Sequence, residues 1–301
     1  MKRTEASAKD LRVALSLSAH IGAVTLDNLL SHFDQDLAAV FAAPRAELLR
    51  VHGVGEAIAR DIKAIDLNRV STQIAAWRSK GVAILTPDEE EYPPPLRDLD
   101  SAPPVLFARG TLSAELWAKT VAIVGTRNPT KEARFMTLQL ASKLARHGYT
   151  VVSGLALGID TAAHTGALAE KGRTIAVLGS GVLNIYPETN RQLAERAQEC
   201  GALLSELHPR WGANAQRLVA RNRIISGLSR AVILVESQTD GGAMYTARFA
   251  REQGRPVYTF DLPVGGNQAL IRGGAIALKP DDPLDFLLGR LLLANNSENG
   301  Q

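Results

Sequence analysis

The sequence predicts an α/β fold: a doubly wound, mostly parallel sheet preceded by a small all-α segment. Three observations carry this. From residue 120 onward, short apolar runs alternate with stretches of helical period, the pattern of a parallel sheet covered on both faces. Several of those runs end in glycine-rich loops, as strands do where they feed a ligand crevice at their carboxyl ends. Residues 1–70 read instead as short helices.

In that first segment Leu11, Leu15 and Leu17 fall on one helix. Thr25 is placed to cap a second, which carries Leu26, Leu29, Leu30 and Phe33. A third begins near Pro44 and carries Leu48, Leu49 and Val51. Gly53 and Gly55 make a tight turn, after which Ala57, Ile58, Ile62 and Ile65 recur at helical spacing. From Gln73 the texture changes. A short strand is expected at 83–85, then acidic residues 88–91. Prolines 93–95 and 103–104 mark turns and extended chain before Val105, Leu106 and Phe107. Strands are expected at 121–124, 150–153, 174–178, 202–205, 231–235 and 256–260. Helices are expected between them at 131–147, 162–171, 189–199 and 245–253. The expected division is a helical domain at 1–70, the α/β domain at 71–290 and a flexible tail at 291–301.

Composition excludes several classes. The 301 residues carry 34 Lys and Arg against 31 Asp and Glu, a net charge of only +3. Any basic surface must therefore come from clustering rather than from totals. Aromatic residues make up 5%, too few for a large stacking platform. The single cysteine, Cys200, excludes an internal disulfide framework and a multi-cysteine zinc site. The six histidines show no metal-ligand spacing, so neither a metal nor a cofactor is expected. No apolar run has the length of a membrane span, and no membrane partner is expected. The run 13–19 has acidic Glu5 and Asp10 before it and no cleavage site after it, which argues for a helix rather than a signal peptide and makes the cytoplasm the default location.

Three strand ends carry the candidate chemistry. The first is Gly125, Thr126 and Arg127 in VGTRNPT. The second is Ser153 and Gly154 in SGLALGIDTAAH, with Gly158 ahead of Asp160. The third is Gly179, Ser180 and Gly181 in GSGVLNIYP. Such loops bring backbone N–H groups and helix N-termini towards an anion, and Arg127 adds a fixed charge suited to a phosphate oxygen. Each alone is more often plain packing; three on consecutive strand ends of one sheet favour a ligand. ARNRIISGLS adds Arg221, Asn222 and Arg223: alone, the pair reads as a solvated helix end with one internal ion pair, but beside three phosphate-type loops both arginines are expected to reach one anion if the segment is a loop or helix start. Asp240, Gly241 and Gly242 precede a further helix and offer it another loop. There is no G-x-G-x-x-G fingerprint opening a helix and no Gly-Lys-Ser/Thr loop.

Taken together, GTRNPT, SGLALGIDTAAHTGAL, GSGVLNIYP, RNRIISGLS, TARFAREQGRPVY and GNQALIRGGA occur in an order and spacing that resemble the DprA/Smf family of DNA-processing proteins. The likeness covers residues 80–285. It implies an extended Rossmann-like domain that binds single-stranded DNA. It also implies a recombination mediator, not an enzyme, that loads a RecA-type recombinase onto DNA coated by single-strand-binding protein and works as a homodimer. Natural transformation with competence, general recombination and antiviral defence all suit such a mediator. By similarity the phosphate pocket uses Gly125 to Arg127, the loop of Ser153 and Gly154, Gly179 to Gly181 and Arg221 to Arg223. Three positions depart from the family's pattern. Glu188 stands where many relatives carry a basic residue, Val219-Ala220 replaces Phe-Pro, and Gly241-Gly242-Ala243 replaces Ser-Gly-Ser.

HGVGEAIA resembles the turn of a helix-hairpin-helix, or SAM-like, module, which makes Gly53 and Gly55 additional candidate DNA contacts through their backbone. The same turn also serves helix packing alone. Residues 19–22 read as a degenerate partner hairpin. Asp160 and Glu236 are the acids nearest the crevice, with backbone N–H groups or an arginine as the plainer partners for both. His164 is expected to hydrogen-bond and shape its loop. The alternative function is a sensor or hydrolase of a small nucleotide-derived ligand in the same pocket. The P-G-G-x-G-T-x-x-E signature of the LOG-type phosphoribohydrolases is missing, and 241–252 only echoes it.

Overall fold

Aspartates and a serine placed one residue ahead of apolar runs set the amino-terminal helices. The structure is a computed structural model that describes residues 7–18, 20–279 and 289. The tail expected at 291–301 lies outside the described residues, as does Ala19. Ser7 caps α1 (Ala8–Ser16) by accepting from the Asp10 amide. Helix α2 (Ala23–His32) follows, with Gly22 as its N-cap. Thr25 therefore lies inside the helix rather than capping it, because the Gly22 carbonyl already takes the first helical bond, from Leu26 at 3.0 Å. Asp36 caps α3 (Leu37–Ala42), a helix the apolar spacing alone does not single out. After α4 (Arg45–Leu48) comes α5 (Glu56–Ala64). Asp66 caps α6 (Leu67–Arg78), which runs straight through residue 70. Its Val70, Ile74 and Trp77 repeat at helical spacing and are buried, so the helix continues well past the point where the composition changes.

The α/β part begins with β1 (Ala83–Leu85), α7 (Pro94–Arg97), β2 (Leu106–Gly110) and α8 (Ala114–Ala118). Then come β3 (Thr120–Val124), α9 (Lys131–Arg146), β4 (Thr150–Ser153), α10 (Ile159–Ala169) and β5 (Thr174–Val177). Next are α11 (Arg191–Cys200), β6 (Ala202–Ser205), α12 (Ala215–Ala220), α13 (Asn222–Gly227) and β7 (Val232–Leu234). The series closes with α14 (Ala243–Glu252), β8 (Val257–Phe260), α15 (Gly265–Arg272) and β9 (Ile276–Leu278). The strands form one nine-stranded sheet in the order β1-β2-β6-β5-β4-β3-β7-β8-β9. It is parallel from β6 to β9, with β2 and β1 added antiparallel at the β6 edge.

Helices cover both faces, which is why the strands are apolar at nearly every position rather than alternating. On one face Ala122, Val124, Val152, Val177 and Leu234 meet α7, α8, α13 and α14 through Leu96, Trp117, Ile224 and Ala247. On the other, Val121, Ile123, Val151 and Ile233 meet α9 and α10 through Leu140 and Ala163. Along that same face Phe107, Ala176 and Leu203 are covered by α11 and also by α1 and α6, through Val13, Ile74 and Trp77. A separate cluster inside the helical segment joins Leu15, Leu26, Leu29, Leu48 and Ile62.

Candidate nucleic-acid interface

The chain winds from β3 outward to β4, β5 and β6, then crosses to the far side of β3 to form β7. The carboxyl ends of β3 and β7, which pair at Val124 and Leu234, thus flank the point where the strand order reverses. Open parallel sheets hold ligands at this point, and here it opens into a cleft of about 690 Å³. Its walls are the β3 loop with Gly125, Thr126 and Arg127, the approach to α10 with Ala156 and Asp160, the β7 loop with Ser237, Gln238 and Asp240 to Gly242, and the α12–α13 segment with Asn214, Leu218, Arg221 and Asn222.

The β3 loop is locked from below. The Thr126 amide donates to the Glu236 carbonyl at 2.7 Å, and the Thr126 carbonyl accepts from the Ile159 amide at 3.1 Å. Gly158 permits that contact: its φ is +79°, and a Cβ there would lie 2.4 Å from the Thr126 carbonyl oxygen. The Glu236 carboxylate accepts from the Thr130 amide and hydroxyl at 3.0 and 2.9 Å, which steadies the turn into α9. Arg127 itself is exposed. It faces both the cleft and a small adjoining cavity with Tyr186, Pro187 and Leu157, and it forms no ion pair among the described residues.

Arg221 lies under the cleft rather than reaching across it. Its guanidinium rests on Gly154, where a Cβ would come within 2.3 Å. Nη1 donates to the carbonyls of Gly154 and Val177, and Nε donates to Asn222 Oδ1 at 2.9 Å. Asp160 accepts from the amides of Gly154 and Ala156 at 3.1 and 3.2 Å, and its carboxylate stands 4.0 Å from Arg221 Nη2. Burial pushes the Asp160 carboxyl above its usual range, against the pull of Arg221 and the backbone donors. Burial likewise draws the Arg221 guanidinium below its usual range, with Asp160 opposing. Asn222 completes the floor by donating from Nδ2 to the Gly242 carbonyl at 3.2 Å.

The remaining candidates sit elsewhere. Arg223 forks onto Glu206 with bonds of 2.8 and 2.7 Å, outside the cleft lining. The Ser153 hydroxyl is buried and donates to the Ile123 carbonyl at 2.6 Å. Gly179 packs on Leu218, and Gly181 packs on the carbonyl of His208, where a Cβ would lie 2.2 Å away. With buried Ser180, these two support α12 and the 208–211 loop and do not line the cleft. Gly53 and Gly55 form the turn before α5, far along the helical segment. Asn28 Nδ2 ties that turn to α2 through the His52 carbonyl at 3.0 Å, and Arg45 pairs with Glu56 beside it. Among the described residues no group of three or more His, Cys, Asp or Glu is arranged to hold a metal, and no helix is long and apolar enough to cross a membrane.

Asn214, Leu218 and Tyr186 also line the cleft, and little in the sequence marks them. The one sequence signal is Asn214, a residue type that caps helices: its side chain caps α12 by accepting from the Arg217 amide at 2.8 Å, and it lines the cleft. Tyr186, 48% exposed at the cleft rim, reads in sequence only as part of a proline turn.

Residues 83–287 match the family of DNA recombination-mediator protein A. Protein Smf of Synechocystis is 37% identical over 92% of this chain and 72% of its own length. The DNA processing protein DprA of Bacillus subtilis is 39% identical over 68% of this chain and 71% of its own. Among solved structures, DNA processing protein A from Streptococcus pneumoniae superposes with a TM-score of 0.79 over 98% of both chains, at 28% identity. The Helicobacter pylori protein, solved for its single-stranded DNA binding mode, covers 65% of this chain and 90% of its own at a TM-score of 0.59 and 30% identity. The strand-end loops at the switch point and these likenesses agree, and the chain belongs to the DprA/Smf family of DNA-processing proteins.

Proposed function

We propose that this chain binds single-stranded DNA in the switch-point cleft and acts as a recombination mediator. In this reading it loads a RecA-type recombinase onto DNA held by single-strand-binding protein, works in the cytoplasm as a homodimer, and performs no chemical step. The observation that carries the reading is Arg127, an exposed arginine with no ion pair among the described residues at the mouth of the cleft. It shares the cleft with the N-terminus of α14, whose N-cap Gly242 supplies no side-chain cap. A cation and a helix N-terminus lining one cleft favour a phosphate there. The two acids of the region support a binding role, because Asp160 and Glu236 both spend their carboxylates on backbone amides. The Helicobacter pylori relative supplies the polymer: its structure concerns single-stranded DNA.

The test is a titration of labelled oligonucleotide against wild type and Arg127→Ala over a range of salt. Binding is expected to weaken with salt and with the substitution, and loss of one phosphate contact lowers the salt slope by about 0.7. A second reading, a small nucleotide ligand, is favoured only by the size of the cleft, which falls within the usual range for small-molecule sites. It prevails if the protein ignores oligonucleotides and a mononucleotide raises its melting temperature.

A further inference from the structure

The whole chain has a net charge of +3, and helix α9 carries the same net charge within its own 16 residues. Lys131, Arg134, Lys143 and Arg146 stand there against Glu132 alone. Of these cations only Arg146 is ion-paired among the described residues, to Glu170 at 2.8 Å. The helix begins four residues after Arg127, so it continues directly from the wall of the cleft. Its buried stripe, Ala133, Thr137, Leu140, Ala141 and Leu144, faces the sheet and α10. Phe135 points the opposite way. It is 60% exposed and lies one turn beyond Lys131 on the solvent face. A lone exposed apolar residue is ordinary. A lone aromatic beside Lys131, Arg134 and Lys143, on the most basic helix among the described residues and in line with a phosphate-seeking cleft, has the makeup of a single-strand track: cations for the backbone and a ring for a base.

We propose that the solvent face of α9 is a second contact for single-stranded nucleic acid, with a base stacked on Phe135 and phosphates against Lys131, Arg134 and Lys143. The strand leaves the cleft past Arg127 and follows the helix, which from Lys131 to Lys143 offers about 18 Å of path at 1.5 Å per residue. Glu132 is the one acid on that face and sits in the first turn, where the helix N-terminus holds it. The proposal rests on the cleft reading above and extends the DNA path beyond it.

The test compares a labelled oligodeoxynucleotide of about 25 nucleotides with one of about 6, which fills the cleft alone. Phe135→Ala is expected to weaken binding of the long strand by about five-fold to a hundred-fold, the range of one lost base stack. It is expected to leave the short strand unaffected. The variant carrying Lys131→Gln, Arg134→Gln and Lys143→Gln together is expected to lower the salt slope for the long strand by about 2. Arg127→Ala should weaken both lengths. All these changes except Arg127→Ala lie outside the cleft and on an exposed face, and an unchanged melting temperature confirms folding. If Arg127→Ala weakens binding while both α9 variants bind the long strand as wild type does, the cleft reading stands and the α9 track is wrong. If wild type binds neither strand, both fall. If the α9 variants change only self-association in sedimentation, the face is a contact between copies and the proposal is overturned.

Discussion

His164 sits on α10 with no exposed surface, its Nδ1 2.7 Å from the Thr174 hydroxyl. That hydroxyl gives its own proton to the Val151 carbonyl at 2.7 Å, so it accepts from the ring and fixes the Nδ1–H tautomer. Burial first, and then the charge of Arg221, hold the imidazole pKa down to about 3 from 6.5. Below about pH 6.5 the unfolded chain takes up a proton that the folded chain refuses. The stabilising contribution is therefore complete above pH 6.5 and is lost as pH falls towards 3. Urea midpoints near pH 7 and near pH 4.5 should show this: His164→Asn is expected to be less stable at the higher pH and to lose less on acidification than wild type. Parallel losses would mean that the ring does not titrate on unfolding. A hydrogen-bonding role for His164 was legible in sequence; its burial was not. The Arg221-Asn222-Arg223 triplet shows the reason. Successive residues on a helix diverge by about 100°, so one motif sends Arg221 beneath the cleft, Asn222 across to Gly242 and Arg223 out to Glu206.

Among the elements, the strands read most cleanly, because apolar runs bounded by glycine have few other interpretations. The strands at 121–124, 150–153 and 202–205 lie where the pattern places them. The short helices α3, α12 and α13 are harder to read, since six residues each carry too little periodicity. Glycine is ambiguous for another reason: it allows close backbone approach to a ligand and to a neighbouring element alike. Gly125 and Gly179 look the same in sequence, yet one lines the cleft and the other seats Leu218. The turn into α11 carries the charge that most opposes DNA binding, and geometry changes its meaning. Glu188 is exposed and forks onto Arg191 with bonds of 2.6 and 2.7 Å. Arg191 holds the Glu188 carboxyl below its usual range, so the pair presents no net charge to a strand. Glu188→Lys removes that acid, frees Arg191 and adds a cation beside Pro187 and Tyr186 at the cleft rim. Tighter oligonucleotide binding with a salt slope steeper by about 0.7 to 1.4 is expected, one or two phosphate contacts' worth. Unchanged affinity would place this turn off the strand's path.

At the scale of the whole molecule, the helical segment is part of the sheet's cover. The family match begins at residue 83, yet the sheet face holding Phe107, Ala176 and Leu203 is closed by α1 and α6. Trp77 is the joint. Its ring meets Phe107 edge-on at 5.5 Å and His208 at 5.0 Å. His208 stacks on Trp211 at 5.7 Å, and Arg217 lies 4.7 Å over Trp211. Arg217 sits in the first turn of α12 next to Leu218, which lines the cleft. One continuous stack thus runs from the amino-terminal helices to the cleft wall. Two substitutions separate its effect from plain stability. Trp77→Ala empties a packed site and is expected to cost about 3–5 kcal/mol. Leu29→Ala, inside the helical segment's own cluster, is expected to cost about 2–5 kcal/mol. Measured under conditions where both variants are folded, oligonucleotide affinity should fall in Trp77→Ala, because the 208–217 loop loses its anchor. In Leu29→Ala affinity should match wild type. In the Trp211→Phe variant, loss of the tryptophan fluorescence change on DNA addition would assign that change to the loop. Equal affinity in the two variants would mean that the helical segment supports the fold without positioning the cleft.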